Sequence, residues 1–174
     1  MTLDKLKHDP MVACKAFMAL ANLVNGASDE FLREVRAPVI FISAMKLHPQ
    51  SLYIQTVATY ALLALSAKTD LFKRDIVNAG GVEAISEAMT RFVASKRMQL
   101  PGFAALWNLA RPKDLKIRVG RCAIEAVTIG ISAHISSEDA CKGALGCLKC
   151  LSALPVNRDL LDHCGAADLI YSCK

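Results

Sequence analysis

A chain of 174 residues that is 53% hydrophobic and 21% charged has apolar content for a sizeable core in one domain, or at most two, which excludes a disordered segment. Aromatics are only 6% while Ala, Leu and Val abound, a balance that favours closely packed helices over sheets, so the expected fold class is all-α. The net charge of +5 is modest, and no apolar run reaches the 18 or so residues that a membrane span needs.

In chain order, Pro10 marks a boundary, and Met11 to Val24 places Phe17, Leu20 and Leu23 at helical spacing before Asn25-Gly26 ends the run. Ser28-Asp29 caps a short helix to Val35, and Pro38 opens another through Met45. The plan then repeats. Ser51 to Ser66 is a long helix, Thr69-Asp70 caps a short one to Asn78, and Gly80-Gly81 turns the chain into VEAISEAM. These paired glycines lack the strand and the spacing of a phosphate loop. A third long helix runs from about Met98 to Pro112, followed by a short segment at Leu115 to Gly120 and then IEAVTIGI. The sequence SSED reads as a capping box before a helix from Ala140 to Ala153, and after Pro155 two more segments run through Asn157 to His163 and Gly165 to Cys173.

The long helices share one pattern. MALANLV from Met18, YALLALS from Tyr60, AALWNLA from Ala104 and GCLKCLS from Gly146 place Leu20, Leu62, Leu106 and Leu148 at separations of 42, 44 and 42 residues. A fixed period near 40 predicts stacked helical repeats, which bury their apolar faces only between neighbours and present a continuous surface instead of a pocket.

The order of long helix, short helix, Ala-Gly-Gly and Val-x-Ala-Ile resembles the armadillo repeat, most clearly in IVNAGGVEAISEAM from Ile76 and AALWNLA from Ala104. The glycine joint recurs in weaker form as RAPVIFI, GRCAIEAV and CGAADLI. HEAT repeats, which lack the short first helix and this joint, are the nearest alternative. The resemblance implies a single right-handed α-solenoid of about four repeats and 11–12 helices over 1–174, with units at 27–67, 68–111 and 112–154 and partial ones at 1–26 and 155–174. It further implies a concave groove lined by the third helices, where a late asparagine binds the backbone of an extended peptide. Asn22 and Asn108 match that position, whereas Ala64 and Cys150 occupy it in the other units. Nuclear-import adaptors of the family place a tryptophan four residues before the asparagine; here those positions are Met18, Tyr60, Ala104 and Gly146.

A helical wheel assigns the faces independently. One stripe holds Phe17, Leu20, Leu23; Thr59, Leu62, Leu65; Phe103, Leu106, Leu109; and Leu145, Leu148, Leu151, the expected core. The small residues Ala19, Ala61, Ala105 and Cys147 allow close helix approach. The opposite face carries Asn22, Met18 and Lys15, then Tyr60, then Asn108 with Pro101, and Lys149 at its margin; with Trp107 these are the candidate groove residues. A primary amide both donates and accepts, so either asparagine can serve an extended peptide or simply tie a neighbouring helix.

Chemistry is sparse. Cys147 and Cys150 form C-x-x-C with His163-Cys164 downstream, but the repeat register accounts for both cysteines and no second pair completes a zinc site. His8, His48, His134 and His163 lie near predicted helix ends, where a basic group favours the last carbonyls. No G-x-S-x-G, HE-x-x-H or phosphate-loop motif occurs, so the expectation is a non-enzyme with no cofactor and no metal. Seven cysteines, the absence of N-x-[ST], and a start without signal-peptide order suggest a soluble, reducing, intracellular setting, cytoplasmic or nuclear.

The expected function is therefore a protein-interaction scaffold or regulatory module that binds an extended peptide or partner protein in the groove. The alternative is nucleic-acid or anionic-surface binding by a stretch with eight bases and one acid between Ala88 and Arg121. Those bases are Arg91, Lys96 and Arg97, then Arg111 and Lys113, then Lys116, Arg118 and Arg121; a plain solvated face is the competing reading. Neither end reads as capped. Phe17, Leu20 and Leu23 at one end and Leu169 and Ile170 at the other should be open, as in a piece of a longer array or a chain that self-associates through its ends.

Overall fold

The computed structural model describes residues 10–166, 168 and 169, and among them the chain forms helices and no strand. The helices are α1 (Pro10–Gly26), α2 (Asp29–Glu34), α3 (Ala37–Leu47), α4 (Leu52–Lys68) and α5 (Asp70–Asn78). They continue as α6 (Gly81–Arg91), α7 (Lys96–Leu109), α8 (Lys116–Ala133), α9 (Glu138–Leu151) and α10 (Pro155–His163). His8, Ile170, Cys173 and the side chain of Phe17 lie outside the described residues.

Caps start several helices where the sequence marks them. The hydroxyls of Ser28, Ser51 and Thr69 accept the backbone N–H of Phe31, Ile54 and Phe72 at 3.2, 3.3 and 3.5 Å. SSED does not behave as a capping box: Ser137 is the N-cap of α9, yet its Oγ is buried without a partner. The larger departure is α8, one helix of 18 residues where two were expected. Elsewhere the joint is a corner with a left-handed residue, Arg36 (φ 52°) before α3 and Gly80 (φ 85°) before α6. Pro38 and the Gly80-Gly81 pair discourage helix continuation at those corners. Gly120 has neither neighbour, and a lone glycine costs a helix only about 1 kcal/mol. Its use is close approach, since a Cβ there would lie 2.4 Å from Asn157 Oδ1.

The long helices pack in series, α1 on α4, α4 on α7 and α7 on α9, while α3, α6 and α8 form a second file and each packs on the following long helix. The apolar stripe lies between the files. Thr59, Leu62, Leu65, Phe103, Leu106, Leu109, Leu148 and Leu151 are fully buried there, as the wheel predicts, and Leu145 is partly so. In α1, Leu20 and Leu23 are exposed, Leu23 to 54%, and with Phe31 and Val35 they rim an apolar hollow of about 200 Å³. The exposure of these two leucines agrees with the expectation. At the other end Leu169 is half-buried against the core, contrary to the expectation of an uncovered residue.

Side-chain amides finish the second-file helices. Gln55 Nε2 donates to the carbonyls of Met45 (2.7 Å) and His48 (3.0 Å), and Gln99, 44 residues on, repeats this with Met89 (2.7 Å) and Phe92 (3.3 Å). Both glutamines are buried and bond carbonyls at a helix end, where His48 O and Phe92 O also accept the backbone N–H of Ser51 and Ser95. One layer later the position is Cys141, whose thiol donates to Ile135 O at 3.2 Å. These contacts predict that Gln99→Ala lowers the unfolding free energy by about 2 kcal/mol, since Met89 O loses its donor in a dry setting while Phe92 O keeps the N–H of Ser95. Urea denaturation followed by circular dichroism measures it. The corners predict opposite signs at matched positions: Arg36→Gly should stabilise by about 0.5–1 kcal/mol and Gly80→Ala destabilise by about 1 kcal/mol, read from the same melts.

Candidate partner-binding face

The solvent side of the long-helix file carries most of the residues singled out for the groove. Lys15, Met18 and Asn22 are exposed on α1, Tyr60 on α4, Trp107 on α7 and Lys149 on α9, with Met18, Tyr60 and Trp107 at 45%, 52% and 44%. Pro101 departs from the wheel: it is buried inside α7 and offers nothing to a partner.

Sequence reasoning missed Tyr53. It is exposed and donates its hydroxyl to Met18 Sδ across the α1–α4 contact. The signal was present, because Tyr53 precedes Tyr60 by seven residues and so shares its helix face. Trp107 spans the α7–α9 contact, lying over Gly146 of α9, where a Cβ would come within 3.1 Å of the indole carbons. The aromatic side chains thus lie across the seams between successive helices.

The two asparagines differ. Asn108 is half-buried, and its Nδ2 donates to Ser66 Oγ at 3.2 Å, while Ser66 donates to Leu63 O at 2.7 Å. Cys150, one layer on, is tied in the same sense through Sγ to Ala110 O at 3.4 Å. Asn22 is exposed. The position therefore links neighbouring long helices in two of four layers.

The eight bases of 91–121 do not meet at one edge. Arg91, Lys96 and Arg97 flank the α6–α7 corner, whereas Arg111, Lys113, Lys116, Arg118 and Arg121 follow α7. The 14 residues of α7 separate these groups by about 20 Å. Acids also interleave, with Lys96 3.8 Å from Asp139 and Arg118 4.0 Å from Glu83. The cause is the intervening helix, which composition along the chain does not reveal.

Cys147 is fully buried, and loss of water pushes its thiol pKa far above the usual range, with the neighbouring Cys150 adding to the rise. No group of three or more His, Cys, Asp or Glu side chains that could hold a metal occurs among the described residues. His48 and His134 follow the last residues of α3 and α8 and His163 ends α10, as expected, and His134 Nε2 lies 2.7 Å from Val93 O.

No family model, curated protein or solved structure matches the chain. The armadillo resemblance thus rests on the chain's own residues. What the fold defines is an all-helical protein with no helix long and apolar enough to cross a membrane among the described residues.

The asparagine geometry predicts a split. Asn108→Ala should lower the unfolding free energy by about 1 kcal/mol through the lost bond to Ser66, and Asn22→Ala should change it by less than about 0.5 kcal/mol. Thermal or urea melts of the two variants decide it.

Proposed function

We propose that the chain is an interaction module of armadillo type, an α-solenoid whose long-helix face binds an extended segment of a partner protein, acting by binding and not by catalysis. The observation that carries the reading is the run of exposed Met18, Tyr60 and Trp107 on three successive helices that touch in series. Large amphipathic side chains of this kind supply much of the energy of protein interfaces at low entropy cost. The repeat at 42–44 residues, kept by Gln55 and Gln99 in their hydrogen bonds, supports the solenoid assignment. Nucleic-acid binding is the weaker reading, since the bases form two separated groups and not one track. The free cysteines Cys122, Cys141, Cys147, Cys150 and Cys164 suit a reducing, intracellular setting.

Trp107 is the chain's only tryptophan, so its emission reports on this face. Adding a bound partner segment should shift its emission to the blue. Tyr60→Ala and Trp107→Ala should each weaken binding about tenfold or more with the fold intact. Unchanged affinity in both variants would remove the face from consideration.

A further inference from the structure

The long helices are nearly free of acids. Of the 14 Asp and Glu between residues 10 and 169, only Glu138 and Asp139 lie on α1, α4, α7 or α9, whereas those helices hold six bases. Both acids are already engaged, Glu138 with Lys142 and Asp139 with Lys96. Lys68, at the end of α4, pairs with Asp29 at 3.0 Å. Arg97 and Lys149 have no ion pair among the described residues, and both are exposed. Helix geometry gathers these charges on the aromatic face. Arg97 and Ala104 recur at seven residues on the side of α7 next to Trp107, and Lys142, Gly146 and Lys149 recur at four and three on the next helix.

Two acids elsewhere tie one layer to the next, Asp75 on a short helix and Asp114 in the turn before α8. Arg33 pairs with Asp75 at 3.3 Å, and Arg74 with Asp114 at 3.0 Å. Most of the negative charge thus sits off the long helices, and the long-helix face keeps a positive excess next to exposed aromatic side chains.

We infer that the segment bound on this face is an acidic extended peptide, its carboxylates meeting Arg97 and Lys149 while an apolar side chain packs on Trp107. The inference rests on the interaction-module reading and adds the partner's chemistry. A carboxylate accepts a forked pair of N–H bonds from Arg, and excess positive charge speeds the encounter with an acidic chain and disfavours a basic one. Adjacent helices lie about 8–10 Å apart and an extended chain advances about 3.3–3.6 Å per residue, so the three contacts from α1 to α9 call for about eight or nine residues.

The test is selection of a displayed random 12-residue peptide library on the whole 174-residue chain, followed by anisotropy titration of the enriched peptides. The expected pool is rich in Asp and Glu with at least one apolar residue. Its affinity should fall about tenfold or more with Trp107→Ala and with the charge reversal Arg97→Glu/Lys149→Glu, and it should weaken as salt rises. A neutral or basic pool that still requires Trp107 would overturn the inference and leave the face as the binding site. An acidic pool indifferent to Trp107 and Tyr60 would overturn the face itself. Failure to enrich any peptide would count against both, as would tighter binding of a 20-nucleotide single-stranded RNA than of any selected peptide. Circular dichroism of each variant excludes unfolding as the cause of lost binding.

Discussion

Every long helix here is buried by a helix about 40 residues away in sequence. Leu62 and Leu65 of α4, Phe103 and Leu106 of α7 and Leu148 of α9 form one continuous apolar seam in which no layer encloses its own hydrophobic side chains. An isolated pair of such helices would expose much of its stripe, so stability comes from contact between layers. The polar contacts obey the same rule. The bonds from Asn108 to Ser66, Arg74 to Asp114 and Cys150 to Ala110 each tie residues 40 to 42 apart. On α1, Leu20 and Leu23 of the same stripe are exposed.

The arrangement of the face follows from this constraint. One side of each long helix is committed to the seam, and the small residues Ala61, Ala105 and Cys147 are buried beside it. The remaining side is free to vary without cost to the core, and on it the chain places Met18, Tyr53, Tyr60 and Trp107. Tyr60 and Trp107 nevertheless keep about half of their surface in water. The acids are sorted in the same way, since Glu138 and Asp139 alone among those between residues 10 and 169 lie on the long helices.

Much of this was legible in the sequence because it depends on local chemistry and on a period. The caps at Ser28 and Thr69, the corner at Gly80 and the leucine stripe all follow from short-range rules that the tertiary structure leaves intact. The rest depends on what lies opposite. Gly120 resembles Gly80 in sequence, yet it remains helical because no proline or second glycine follows it and Asn157 presses against it from another layer. Gln55 and Gln99 gave no signal, since a glutamine in a first turn has no local reason to be buried. The eight bases near residue 100 looked contiguous only because sequence distance ignores the length of α7. Tyr53 belonged to a visible pattern but preceded the segment that defined the repeat.

The fusion that makes α8 continuous also has a mechanical meaning. A left-handed corner is a place where two short helices can change their mutual angle through a few backbone dihedrals, and the layers containing Arg36 and Gly80 each have one. The α8 layer lacks such a corner at Gly120. An 18-residue helix is about 27 Å long and bends only gently, so a load on α9 reaches α6 and α10 as the tilt of a stiff beam. Bending of the molecule would then concentrate at the corners of Arg36 and Gly80 on one side of the α8 layer and at Gly165 (φ 69°) on the other, leaving Trp107 and Gly146 beside the stiff layer.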